Sequence, residues 1–496
     1  MLENLEPKNV FHYFEEICNI PHGSGNVDAI SDYLVAFAKK HDLWVSQDAL
    51  KNVIIIKEAS KGKEEKPAVM IQGHMDMVAV KEPEADIDMT KDSLRLAIDG
   101  DYVYAKQTSL GGDDGIAVAY GLALLADETI SHPRIELVVT TEEEVGMDGA
   151  TGIDLSPCQG MRMLNIDSEE EGQFVAACAG GLRVAGTLPV SRVKADDKVL
   201  WEKVTLTDFA GGHSGTEINK NSGNANIVMG WFLSEIKKKV DIRLASLRGG
   251  LKDNAIPVEA CAVIGLPLEG KGADAEETDE INKRFAELCH HLEKEMQERF
   301  AATDPDCKVI LEDMEDCAQE KPAAYLTAED CERVLAFLRE APNGVQSMSR
   351  ELEGLVQTSL NMGIMELTED GMQVTFSLRS SVAKEKDELE ETVCALVEKY
   401  GGTAVKSGEY PAWEYKTDSP LREHMIRIYE KQYGKKPEVL SLHAGLECGI
   451  LAAKKPGLDC VSFGPDIFDI HTTREKLSIS SVKRVWDFLV EVIETL

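Results

Sequence analysis

The chain has 496 residues, 43% hydrophobic and 28% charged, the balance of a soluble globular protein too long for one core, so two domains are expected. A formal charge of −35 repels nucleic acid and anionic membranes, which argues against both as partners, but it says nothing about the field inside a cleft. No apolar run approaches the ~20 residues needed to span a bilayer, the start lacks a secretory pattern, and the eleven cysteines form no C-x-x-C pair, so a soluble cytoplasmic protein with reduced thiols is expected.

In chain order, helical spacing runs through Val10–Ile20 and, after a Gly-containing break, Asp28–Lys40. Asn52–Lys57 reads as a buried strand and Lys57–Lys66 as an exposed loop. Ala68–Ile71 begins a strand closed by Gly73, His74 and Asp76. Residues two apart share a strand face, so His74 and Asp76 point the same way from its carboxyl end. Thr90–Asp101 is turn and hairpin material and Tyr102–Ala105 a strand. LGGDDG, at Leu110–Gly115, opens a smooth apolar helix, Ile116–Leu125. Its two aspartates would repel phosphate, and it lacks the motif of a nucleotide loop. The strand Ile135–Thr140 ends in Glu142–Glu144, and Arg162–Ile166 ends in Asp167 and Glu169–Glu171. Three times an apolar strand ends in carboxylate.

From about Val184 the texture changes. Trp201–Thr207, Cys261–Pro267, Gly371–Arg379 and Gly402–Tyr410 read as strands; Ala225–Lys237, Glu276–Phe300 and Lys384–Lys399 read as helices. This describes an α+β domain of two related halves, residues 184–415, inserted into an α/β domain formed by 1–183 and 416–496. The tail returns to the first texture with a helix over Leu421–Tyr433, the segment SLHAGLECG, a strand at Asp459–Phe463, His471 in a loop, and a final amphipathic helix.

His74, Asp76, Asp113, Asp114, Glu142–Glu144, Asp167 and His471 form the chemical constellation. Each acidic run alone is an ordinary solvated loop. Together, two histidines and several carboxylates suit Zn²⁺, or Mn²⁺ and Co²⁺. No Gly-x-Ser-x-Gly competes, and no cysteine has an obvious base.

The segments ICNIPHGSG, QGHMDMV, LGGDDGI, EEVGMDGA, NIDSEEEG, CAGG, GGHSG, GNAN, NAIP, HAGLECG and the terminal His471 span the chain. On them it resembles the two-zinc exopeptidase family that includes carnosinases and aminoacylases. The resemblance implies a zinc-exopeptidase-like catalytic domain, a mixed sheet flanked by helices, with an inserted lid domain. It implies two Zn²⁺ per subunit: His74 and Asp167 on one, Glu144 and His471 on the other, Asp113 bridging. Asp76 would orient His74, and Glu143 would activate a metal-bridging water as general base, then acid. His213 would donate to the oxyanion from the partner subunit of a homodimer, while Asn254, Arg379 and Gly445 would hold the substrate carboxylate. A cis Asp113–Asp114 peptide bond is implied as well.

The chain departs from the family's usual pattern twice. Gly112-Asp113-Asp114-Gly115 stands for Ala-Asp-Asn-Gly, and Thr472-Thr473-Arg474-Glu475 for Ser-Pro-Asp-Glu. The expected activity is metal-dependent hydrolysis of unblocked dipeptides, Xaa-His and carnosine-like substrates first. The alternatives are a related amidohydrolase acting on other di- or tripeptides or N-acyl amino acids, and a peptide-binding protein on an inactive enzyme fold. The complete ligand set with Glu143 argues against the last.

Overall fold

The computed structural model describes residues 1–195, 198–268, 275–314, 321–352 and 354–496. The chain forms two compact units. The first is Met1–Cys178 with Trp413–Leu442 and Leu446–Leu496; the second is Ala179–Ala412 with His443–Gly445. The divisions fall a few residues before the expected 183/184 and 415/416. The reason is the strand Gly180–Leu188, which pairs with Met372–Ser380 and Thr403–Tyr410 inside the second unit.

The first unit carries an eight-stranded mixed sheet. Its order is Trp44–Gln47, Val53–Lys57, Ile135–Thr140, Val69–His74, Arg162–Asn165, Asp459–Ser462, Gln173–Cys178 and Glu438–Leu442. The runs VIIIK and IELVVT are buried at every position, as expected of central strands, so they show no alternation. Helix Gly112–Ala126 packs on the Val69–His74 strand and against helix Lys8–Cys18, which buries Val10, Phe11, Phe14 and Ile17 at helical spacing. Truncating Phe14 to alanine in so closed a core costs roughly 3–5 kcal/mol. A small antiparallel sheet joins Ile467–Phe468, Lys476–Ser478, Tyr102–Ala105 and Leu96–Asp99.

The second unit holds a nine-stranded sheet built from two halves. In the first half, Val199–Thr207, helix Ala225–Lys237, Arg243–Gly249, Ala260–Pro267, helix Ala275–Phe300 and Lys308–Asp313 follow a β-α-β-β-α-β path with spatial strand order 4-1-3-2. The second half repeats that order with Gly180–Leu188, helix Ala328–Glu340, Val356–Leu367, Met372–Ser380, helix Ala383–Lys399 and Thr403–Tyr410. The halves join edge to edge where Arg248 and Gly249 pair with Glu366 and Met365. One half is therefore nested in the other, since the second half's first strand precedes the whole of the first half. Val356–Leu367 escaped the sequence reading because VQTSLNMGIMEL carries few β-branched residues and breaks its alternation at a bulge.

Candidate active site

Three neighbouring parallel strands bring the carboxylates of the first unit together. In register, His74 lies beside Thr140, and Gln72 beside both Val138 and Asn165. Residues just beyond these strands emerge at one sheet edge, where α/β folds place ligand sites. His74, Glu142–Glu144 and Asp167 leave from that edge. Asp113 arrives from the first turn of the Gly112–Ala126 helix. That helix approaches closely because position 73 is glycine: a Cβ there would stand 2.4 Å from Asp114 Oδ2 and 2.6 Å from Ala117 Cβ.

His74 is buried, and its two ring nitrogens see different partners. Nδ1 lies 2.9 Å from the Asp76 main-chain oxygen and 3.6 Å from Asp76 Oδ1. A carbonyl can only accept, so Nδ1 carries the proton. Nε2 then faces Asp113 Oδ1 at 3.2 Å and Asp167 Oδ1 at 3.5 Å. His471 Nε2 meets the other oxygen of Asp113, Oδ2, at 3.2 Å and Glu144 Oε1 at 2.9 Å. Asp113 thus offers one oxygen to each imidazole. The Asp113–Asp114 peptide bond is cis.

Asp76 does more than face His74. Its carboxylate accepts from Ser24 Oγ (2.9 Å) and from the backbone N–H of Glu143 (3.1 Å) and Glu144 (3.4 Å). It therefore ties the His74 strand to the turn that presents both glutamates. Glu142, which no role was expected for, is left-handed (φ 57°) and accepts from Gly25 N–H at 2.8 Å.

The electrostatics favour positive charge at this site. Burial raises the Asp114 and Glu143 carboxyls well above their usual range, with Asp167 adding to both. Burial likewise raises Asp167 to about 6 and Glu169 to about 8. Hydrogen bonds to Asp113 and then Glu144 raise His471 to about 10. For His74, burial opposes the charged form, but Asp113, Asp167 and Asp76 outweigh it. Both imidazoles are thus pushed toward their charged form by the carboxylates they face, and a cation bound among them would take the place of those protons. A tetrahedral ion with 2.0–2.1 Å bonds needs ligand atoms about 3.3 Å apart. The 3.2 Å and 3.5 Å separations around His74 Nε2 match that edge. His74, Asp113 and Glu144 form one group able to hold an ion, and His74, Asp114 and Asp167 another. The residues fit a metal.

In the second unit, His213 Nδ1 accepts from the N–H groups of Gly215 (3.3 Å) and Thr216 (3.2 Å). This fixes the tautomer with hydrogen on Nε2, leaving that N–H as a donor. Burial, then the Arg379 charge, lowers its pKa and keeps the ring neutral. His213 and Asn254 line a groove of about 1000 Å³ whose rim includes Leu251 and Val258; Arg379 and Gly445 are not among its lining residues. Arg379 is buried on the Met372–Ser380 strand, with Nη1 donating to Tyr410 Oη (2.8 Å) and Nε unpartnered within the protein. Gly181 opposes Arg379 across the strands, and a Cβ there would lie 2.5 Å from Tyr410 Oη. Beside Gly445, His443 Nε2 meets Ser359 Oγ at 2.7 Å.

Two buried carboxylates near the first unit's constellation were missed by the sequence reading. Glu447 accepts from Gln72 and Thr140, and burial raises its pKa to about 7. Glu475 accepts from three backbone amides at Leu110–Gly112. Both stand inside quoted segments, HAGLECG and the Thr472–Glu475 departure. Nothing local distinguishes their acids from surface ones, because their partners lie over 300 residues away.

Comparison with known proteins gives the family. The profile of Peptidase family M20/M25/M40 matches residues 70–495, so the chain belongs to that family and is a metallopeptidase with the M20 fold. Among its relatives, the cytosol non-specific dipeptidase of Escherichia coli is 34% identical over 493 residues, covering 99% of this chain and 98% of that one. The crystal structure of aminoacylhistidine dipeptidase from Vibrio alginolyticus superposes with a TM-score of 0.88 at 36% identity, over 100% and 98% of the two chains. The aminopeptidase PepT of Bacillus cereus, at 14% identity and TM-score 0.54 over 99% and 98%, shares the fold. The ten cysteines among the described residues are free, and no helix among them is long and apolar enough to cross a membrane.

Proposed function

We propose that the chain is a cytoplasmic, metal-dependent dipeptidase acting on unblocked dipeptides, with Xaa-His and carnosine-like substrates first. The observation that carries this is Asp113, whose two oxygens face His74 and His471 at 3.2 Å each, with Asp167 and Glu144 beside those imidazoles. Two Zn²⁺ ions, or Mn²⁺ or Co²⁺ in their place, would be held by His74 with Asp167 and by Glu144 with His471, Asp113 serving both. Bound there, the metals supply Lewis acidity and a water acidic enough to react near neutral pH.

The chain's own residues do the rest. Asp76 holds the His74 ring in its Nδ1–H form and holds the Glu143–Glu144 turn. Glu143, on the turn held by Asp76, takes a proton from the attacking water and returns it to the leaving amine. His213 of the partner subunit in a homodimer donates Nε2–H to the oxyanion. Arg379 and Asn254, with the Gly445 backbone, receive the substrate's terminal carboxylate, to which the unpartnered Arg379 Nε is suited.

The Escherichia coli relative is named for non-specific dipeptide hydrolysis, which favours a second reading: a broad dipeptide range in which histidine is one acceptable residue. One assay separates these readings. Purified protein, with and without chelator, is given Xaa-His dipeptides, other dipeptides and N-acyl amino acids. Chelator-sensitive turnover of dipeptides, restored by Zn²⁺, Mn²⁺ or Co²⁺, is expected. Full activity without metal, or turnover of N-acyl amino acids alone, overturns the proposal.

A further inference from the structure

Glu475 is 3% exposed, and its carboxylate is spent on backbone. Oε2 accepts from the N–H of Leu110 (2.8 Å) and Gly111 (3.1 Å), and Oε1 from that of Gly112 (2.8 Å). Three successive amides converge because Gly111 is left-handed, with φ 69°. They stand at the start of the Gly112–Ala126 helix, whose positive end favours an anion. The next residue is Asp113. At its other end, Glu475 closes the loop that carries His471: its own N–H donates to Thr472 O (3.3 Å), and Thr472 Oγ1 donates to Asp469 O (2.7 Å). His471 itself is left-handed (φ 61°) with a side chain 43% exposed, so little packing holds it in place.

We propose that Glu475 is a positioning residue that sets the spacing between Asp113 and His471, and through it the metal affinity of the site. This rests on the metallopeptidase reading above. A buried carboxylate without partners is costly, and here three amides satisfy it. Locking both chain segments with one side chain keeps Asp113 Oδ2 and His471 Nε2 at ligand spacing before an ion arrives. Carboxylates that orient ligand-bearing groups in this way are typically worth about 10–100-fold in metal affinity.

The test uses full-length Glu475→Gln, which preserves shape but removes the charge and one acceptor oxygen, and Glu475→Asp, which keeps the charge but shortens the reach. The control is Asp304→Asn. Asp304 is a buried carboxylate of the second unit that likewise accepts two backbone amides, Ala210 and Gly223, both at 2.8 Å. Zn²⁺ affinity by chelator competition, the Co²⁺ absorption spectrum and the thermal stability of the metal-free proteins are measured. Glu475→Gln is expected to lose about 10–100-fold in Zn²⁺ affinity with an altered Co²⁺ spectrum. Glu475→Asp should fall between it and wild type. Asp304→Asn should lose stability with metal affinity unchanged. Wild-type affinity and spectrum in Glu475→Gln, stability loss alone as in Asp304→Asn, or failure of both Glu475 variants to fold overturns the inference. Absence of metal binding by the wild-type protein overturns the metallopeptidase reading instead.

Discussion

The two units hold their functional residues in opposite ways. In the first, the candidate ligands stand at the ends of buried parallel strands or in the adjoining helix turn, beside backbone amides that donate to the Asp76 and Glu475 carboxylates. In the second, His213 and Asn254 sit on loops, and Arg379 projects from a strand with one nitrogen unpartnered within the protein. The first arrangement suits groups whose mutual distance must hold within fractions of an ångström, as metal ligands require. The second suits groups whose natural partner is a ligand. On the proposed roles, the first unit holds the metal ligands and the proton-transfer group and the second holds the groups that meet the substrate, a division that substitutions can break.

The largest effect is expected at Glu143. Glu143→Ala should lower kcat by about 10²–10⁴ while bound metal stays at the wild-type level, because its proposed role is proton transfer. Loss of an ion in that variant, read by metal analysis, would exchange the roles of Glu143 and Glu144. His213→Ala should lower kcat by about 10²–10³ with both metals and dipeptide binding retained. Mixing it with Glu143→Ala protein tests the dimer: half of randomly exchanged dimers are mixed, each with one whole site, so about a quarter of wild-type activity should return. No recovery after demonstrated subunit exchange would mean that His213 does not serve a partner's site.

Arg379→Ala should raise KM and lower kcat/KM by about 10–100-fold for dipeptides, the usual worth of a charged hydrogen bond. A substrate amidated at its carboxyl end should lose little further in the variant. If kcat falls with KM unchanged, Arg379 does not receive the substrate carboxylate. Asp114→Asn should change activity only a few-fold, because the Asp114 contact with His74 N–H (3.2 Å) needs one acceptor oxygen that asparagine also supplies.

The smallest effect concerns stability and lies wholly in the second unit. Burial, then Asp313, raises the Glu202 pKa to about 7, above the ordinary ~4.3 of an unfolded chain. The folded state therefore binds the extra proton, and the resulting stabilisation is complete below about pH 4 and lost as pH rises through about 7. Glu202→Gln should flatten this dependence, so its melting temperature should gain on wild type between pH 5 and 8. A constant difference across that range would mean that Glu202 does not titrate on unfolding.

Much of the first unit was legible without coordinates. Apolar runs such as Ile135–Thr140 mark buried strands, and the acids after them follow from chain order alone. The helices Asp28–Lys40 and Ala225–Lys237 were read within a residue because apolar spacing is a local property. In the second unit the motifs around His213 and Arg379 carried meaning only through family resemblance, since a turn histidine and a strand arginine are common on any surface.

The amino-acid sequence by itself determined many of the strands and helices, which strands end in carboxylate, and which residue types gather in one family pattern. Those features depend on side-chain alternation and neighbouring residues. Tertiary structure alone decided the rest: the parallel register that sets His74 beside Thr140, the left-handed backbone at His471, and the nesting of one half of the second unit inside the other. It also decided that Glu475 reaches amides 363 to 365 residues away. Such pairings are set by how separate hydrophobic surfaces close on one another, and no window of sequence contains both partners.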